Sequence, residues 1–217
     1  MKFNTILAAF VSLMLSTSAI AQADVGKVAK VGQATTLTVT ANGTTPFTYQ
    51  WSKEALTVAG ATTNPLVIAS STLTTAGAYT VVVGNSAGSV TSNKAFVYIL
   101  GAPTFSTQPA ANTSVPIGGT FSLTVVANAV YASPAASTIP MGTPALSYQW
   151  YKNAVAIAGA TIATFSVPVA SAVDSATYTC IANTAWDGQT TSTTSAAAVV
   201  AVNVVPPTIT GLSITVN

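Results

Sequence analysis

Thr48-Tyr49-Gln50-Trp51 returns as Ser147-Tyr148-Gln149-Trp150, ninety-nine residues further along the chain. The same shift carries Val58-Ala59-Gly60-Ala61-Thr62 onto Ile157-Ala158-Gly159-Ala160-Thr161, and Tyr79 onto Tyr178. Upstream, Gly32-Gln33-Ala34-Thr35-Thr36-Leu37-Thr38-Val39 matches Gly118-Gly119-Thr120-Phe121-Ser122-Leu123-Thr124-Val125 at a shift of 86. The 217 residues therefore hold two copies of one module, and the second copy has thirteen more residues between those landmarks.

Within each copy the periodicity is that of strands. Leu37/Val39, Tyr49/Trp51, Leu66/Ile68, Tyr79/Val81 and Phe96/Tyr98 each put two large or β-branched residues on one face, between clusters of Gly, Pro, Asn and Ser. About seven short strands per repeat predicts a β-sandwich.

The phrase Asp174-Ser175-Ala176-Thr177-Tyr178-Thr179-Cys180, together with a Trp on the third strand of each copy, resembles the immunoglobulin superfamily. The wording is similar to the tandem Ig-like repeats of secreted bacterial and phage surface proteins. The first copy has Thr75-Ala76-Gly77-Ala78-Tyr79-Thr80-Val81 and departs at the Asp and at the Cys. The resemblance implies an all-β chain of two tandem Greek-key sandwiches, over residues 24–100 and 104–205, joined by a linker at 101–103. It makes Trp51, Trp150, Tyr79, Tyr178 and Cys180 core residues, the tyrosines pinning a corner through their hydroxyls. It also implies that Cys180 bridges to the second strand, yet Val125 occupies that position, and the first copy has Val39 and Val81. Cys180 is then a buried, inert thiol, or else a link between two chains.

Two loops are longer in the second copy. Residues 129–142 replace Asn42-Gly43-Thr44-Thr45-Pro46, and a stretch around Ala185-Trp186-Asp187-Gly188-Gln189 replaces Asn85-Ser86-Ala87-Gly88. Loops on a rigid scaffold commonly carry recognition, and the resemblance puts both at one pole. Tyr131, Met141, Trp186 and Asp187 are the candidate contact residues, as an exposed apolar patch beside a carboxylate. The alternative is that these loops pack on the first copy and stiffen the elbow.

Only ten residues are charged, six Lys and four Asp or Glu, with no His and no Arg. Acid-base catalysis and metal binding draw on His, Cys and clustered carboxylates, so neither an enzyme nor a metal or other cofactor is expected. Scattered lysines give no footprint for nucleic acid. Ala (39) and Thr (36) dominate, so the positive mean hydropathy comes from small side chains. Asn42-Gly43-Thr44 and Asn112-Thr113-Ser114 fit the glycosylation acceptor pattern, which matters only in a glycosylating host.

Residues 1–23 read as a secretory signal: Lys2, an apolar run from Ile6 to Leu15, then small residues ending Ala21-Gln22-Ala23. An uncleaved anchor is the alternative, and a mature chain starting at Asp24 has no membrane span. At the other end, residues 206–217 have strand character, with Ile209, Leu212, Ile214 and Val216 as a candidate assembly strand. Such a tail docks on a partner chain or folds back on its own domain. The expected function is that of a secreted structural or adhesive protein contacting proteins or cell-surface glycans, with assembly into an oligomer or fibre through the tail. A phage virion module and an accessory carbohydrate-binding module are the alternatives.

Overall fold

The computed structural model describes residues 8–13, 23–204, 211 and 213–215. Ahead of the first repeat lies β1 (Ala8–Leu13), and the repeat supplies β2 (Val25–Lys30), β3 (Thr35–Ala41), β4 (Thr48–Lys53), β5 (Leu56–Thr57), β6 (Leu66–Ile68), β7 (Gly77–Asn85) and β8 (Gly88–Thr91), with β9 (Ala95–Thr107) running on past it. The second supplies β10 (Asn112–Pro116), β11 (Phe121–Thr124), β12 (Val126–Ala132), β13 (Ala145–Lys152), β14 (Val155–Ala156), β15 (Thr164–Val167), β16 (Ala176–Trp186), β17 (Gln189–Thr194) and β18 (Ala198–Asn203). By packing, the chain divides into two compact units. One is Met1–Thr104 with Ala129–Leu146 and Asn183–Ser192; the other is Phe105–Asn128 with Ser147–Ala182 and Thr193–Asn217. The expected linker at 101–103 lies inside β9, with Gly101 and Pro103 buried. Both enlarged loops of the second repeat fall in the first unit.

In the first unit, β1-β3-β6 forms one sheet and β9-β7-β4-β5 the path of the other, with β2 parallel to β9, β8 on β7, and residues 129–132 of β12 bordering β9. Between the sheets lie Ala29, Leu37, Val39, Trp51, Tyr79, Val81, Val83, Val97 and Ile99. In the second unit, β11-β15 faces β10-β18-β16-β13-β14, enclosing Phe121, Leu123, Val125, Trp150, Tyr178, Cys180 and Val200. The alternation read from the sequence is therefore real in both copies. β9 departs from it. Ala95, Val97 and Ile99 face the first core, while Phe96, Tyr98 and Leu100 are buried on the opposite side. A strand covered on both faces reads as a continuous apolar run, and Ala95-Phe96-Val97-Tyr98-Ile99-Leu100 is one.

The repeats share one hydrogen-bond framework. Trp51 Nε1 donates to Thr63 O (2.8 Å), as Trp150 Nε1 does to Ile162 O (3.0 Å). Gln50 Nε2 donates to Trp51 O and Val58 O; Gln149 Nε2 donates to Trp150 O and Ile157 O. Tyr79 donates its hydroxyl to Thr75 O and Tyr178 to Asp174 O, at 2.8 and 3.1 Å. Burial pushes both hydroxyls up to about 12, so they stay protonated donors.

One compensated exchange separates the cores. Thr35 and Ser71, buried, share a 2.8 Å hydroxyl hydrogen bond in the first unit. The second has Phe121 and Ala170 in their places. Phe121 packs edge-on against Phe165 and Tyr178, at 6.4 and 5.9 Å.

The corner phrase of the second repeat also makes its fold acid-sensitive. Asp174 Oδ2 accepts from Ser171 N (3.0 Å) and Ser171 Oγ (2.9 Å), and Oδ1 accepts from Lys152 Nζ (3.2 Å). The Ser171 N–H, then its hydroxyl, and more weakly Lys152 hold the Asp174 carboxyl below its usual value. Because the folded-state pKa is lowered, its stabilisation is present above the unfolded-state value of about 3.9 and is lost as pH falls through the lowered one. Asp174→Asn is expected to lower the urea midpoint at pH 7, with the gap to wild type closing towards pH 3. A gap that stays constant with pH would refute this.

Candidate functional site

The enlarged loops are built around Trp186, the last residue of β16. It is only 4 % exposed. Its ring meets Tyr98 and Tyr131 edge-on, each with centroids 5.3 Å apart. Such T-shaped contacts set the positive edge of one ring against the negative face of the other. Trp186 Nε1 donates to Met141 O (2.8 Å), so the long loop closes over the indole. Ile139 and Met141, partly buried, pack with Val28, Ala78, Phe96, Tyr98 and Leu100 in this third cluster. The Tyr98 hydroxyl bonds Ser137 Oγ and donates to Ile139 O (2.9 Å).

This corrects the expectation of an exposed apolar patch at Trp186. An indole with two aromatic neighbours and a satisfied N–H is a packing core. Of the four candidates, Tyr131 remains 39 % exposed at the margin, and Asp187 reaches Lys27 Nζ at 3.5 Å. That pair is half-solvated and worth little energetically. Tyr98, legible in the sequence only as a strand residue, joins this arrangement together with Ile139 and Gly26, none of them a candidate contact residue. A Cβ on Gly26 would sit 3.2 Å from Ile139 Cγ2, so glycine there lets the loop approach.

Each of the four acids is engaged structurally. Asp24 accepts from Lys94 N (3.0 Å) and Thr138 Oγ1 (2.9 Å). Glu54 accepts from Ala78 N (2.8 Å), while Asp174 and Asp187 have the partners given above. Among the described residues no group of three or more His, Cys, Asp or Glu could hold a metal. A hollow of about 230 Å³ lies beside Glu54, Thr80 and Lys94, and a shallow one of about 360 Å³ beside Ile157, Ile162 and Phe165. The second has no titratable lining residue, and the carboxylate of the first is spent on the backbone.

Cys180 is fully buried, and burial pushes its thiol up to about 11. Its N–H donates to Ser195 Oγ (2.9 Å), as Val81 N does to Ser92 Oγ (3.0 Å). We expect no alkylation at pH 8 until denaturant is added, and a stability change within about 1 kcal/mol for Cys180→Val, since the first repeat has Val there. Rapid labelling of the folded protein would refute the burial.

The candidate assembly strand is seen in part. Ile209, Leu212 and Val216 lie outside the described residues; Ile214 is 86 % exposed and in no strand. Of residues 1–23, expected from the sequence to be a secretory signal, residues 8–13 are described, as β1, and so is Ala23. No described helix is long and apolar enough to cross a membrane.

The paired Trp, the tyrosine corners and the two-sheet cores define an immunoglobulin-like architecture in tandem. Residues 104–199 match the family model described as an immunoglobulin domain, which covers the second repeat. Among solved structures the chain is similar to the titin I-band fragment I67–I69, with 18 % identity and TM-score 0.59 over 83 % of this chain and 63 % of that one. It is also similar to three N-terminal domains of the bacteriophage RB49 Highly Immunogenic Outer Capsid protein, with 18 % identity and TM-score 0.60 over 82 % and 67 %. Extracellular domains 3–5 of Drosophila OTK match at 16 % identity and TM-score 0.53 over 84 % and 60 %. The chain thus spans less than two thirds of the titin and OTK fragments. At these identities the likeness is one of fold. No curated protein matches the chain. Immunoglobulin-like domains of this kind imply protein–protein contact and are typically non-catalytic.

Proposed function

We propose that the chain is an exported, non-catalytic structural or adhesive protein whose two Ig-like modules make contacts with proteins or cell-surface glycans, and whose tail joins copies together. The observation that carries this reading is the employment of all four carboxylates in holding loops and corners, in a chain without His or Arg. What the outer strands offer a partner is hydroxyl-rich and neutral: the exposed or half-exposed positions of β3 are Thr36, Thr38, Thr40 and Ala41, and β17 is Gln-Thr-Thr-Ser-Thr-Thr. Such faces meet a partner with little charge repulsion. A virion module is the second reading, favoured by the fold shared with the RB49 outer capsid protein.

The test is expression of the full chain in a secreting bacterium, with mass spectrometry and negative-stain imaging of the medium. A product beginning at Asp24 that forms filaments or coats cells is expected. A cell-internal product that keeps residues 1–23 would overturn export and shift weight to the virion reading.

A further inference from the structure

β3 has a neighbour on each side. β6 pairs antiparallel with Thr35–Leu37 on one edge. On the other, β1 runs parallel over six residues, from Ala8 opposite Thr36 to Leu13 opposite Ala41. The register places Ala9, Val11 and Leu13 beside Leu37, Val39 and Ala41, the positions of β3 that belong to or pack on the first core. This edge therefore accepts an apolar strand of period two.

β1 lies within the leader. Cleavage after Ala23 removes it and leaves Thr36–Ala41 with unpaired backbone groups along one side. Sheet edges in soluble proteins are commonly protected by Lys, Pro or short length. β3 has seven residues, Thr-Thr-Leu-Thr-Val-Thr-Ala, with neither charge nor Pro. The equivalent strand of the second repeat, β11, has four.

The same chain contains a matching donor. Residues 209–216, Ile-Thr-Gly-Leu-Ser-Ile-Thr-Val, carry no charge, and Leu212, Ile214 and Val216 reproduce the spacing of Ala9, Val11 and Leu13. Ile214 is 86 % exposed. We propose that in the mature protein the β3 edge is a strand-acceptor site, filled by residues 209–216 of a second copy in the register that β1 occupies. Leu212, Ile214 and Val216 then lie beside Leu37, Val39 and Ala41, and Thr215 beside Thr40. Main-chain hydrogen bonds supply affinity and the alternate apolar side chains supply register. Donor and acceptor are different surfaces, so the contact is heterologous and propagates into an open fibre unless the rotation closes a ring. This inference rests on the exported, tail-assembling reading above and names the site that the tail occupies.

The experiment mixes two forms of the secreted, leaderless chain in a Cys180→Val background, one carrying Thr40→Cys and the other Thr215→Cys, and oxidises them. A disulfide-linked pair of the two forms is expected. Ser213→Cys in place of Thr215→Cys is expected to pair with Thr38→Cys and poorly with Thr40→Cys. Light scattering is expected to show multimers that a chain ending at Pro206 does not form. A chain carrying both Thr40→Cys and Thr215→Cys that closes on itself when dilute, or cross-linking that ignores position, would overturn the acceptor site while leaving export intact. A product that stays inside the cell and keeps residues 1–23 would overturn both, because β1 then stays in place.

Discussion

Trp150→Ala is expected to destabilise the second unit by about 4 kcal/mol, the largest effect of any single side chain in it. The indole is fully buried, its ring lies 6.1 Å from Phe165, and it shares a cluster with Phe121, Leu123, Val125 and Tyr178. Removing it opens a cavity between two sheets whose backbones cannot collapse onto each other. It also leaves Ile162 O without the 3.0 Å bond from Nε1. Domains of this size are stable by roughly 5–15 kcal/mol, so the loss takes a large share of the total. Urea unfolding followed by circular dichroism measures it. Trp150→Phe, which refills part of the volume but not the hydrogen bond, is expected to lose about half as much. A Trp150→Ala midpoint within error of wild type would mean that the ring is not central to this core.

The second large effect has the opposite sign. Val125→Cys is expected to form a disulfide with Cys180 when oxidised, and to raise the stability of the second unit by up to about 4 kcal/mol through the entropy that the cross-link removes from the unfolded chain. Val125, between β11 and β12, and Cys180, in β16, are both fully buried in one cluster, at the positions that the immunoglobulin resemblance bridges. With its pKa near 11, the Cys180 thiol reacts slowly once the core has closed. The bond is therefore expected to form during oxidative refolding and poorly in protein already folded. Intact mass and the urea midpoint with and without reductant measure it. A refolded variant with two free thiols would show that the sheets stand too far apart at this point.

The parts of the fold legible in the sequence are those fixed by local chemistry. Trp51 and Tyr79 announce themselves because a sandwich centre needs a large ring and a corner needs a hydroxyl four residues beyond its acceptor, and the repeat states each requirement twice. The candidate site was legible in its members but not in its state. Trp186 stood out as unassigned, yet its burial depends on Tyr98, Tyr131 and Met141, which are distant in sequence. The signal for this was β9, where large apolar residues on both faces required cover on both. Phe96 and Tyr98, at period two, make up one face, and Ala95, Val97 and Ile99 the other. At 101–103, Gly and Pro sit within β9 rather than in a free linker, and the packing boundary falls just beyond, between Thr104 and Phe105.

The exchange of Thr35 and Ser71 for Phe121 and Ala170 bears on how such a chain avoids misfolding. Tandem copies with a common framework are at risk of lending strands to each other as they fold. Here a borrowed strand meets the wrong neighbour. β11 in place of β3 would drive the Phe121 ring onto the Ser71 hydroxyl, overfilling the site and stripping a buried group of its hydrogen bond. The reverse swap would set the Thr35 hydroxyl against Ala170, beside a void left by the missing ring. Each copy therefore recognises its own strands by size and polarity at one core position, and that mismatch keeps two halves built on one framework from trading parts.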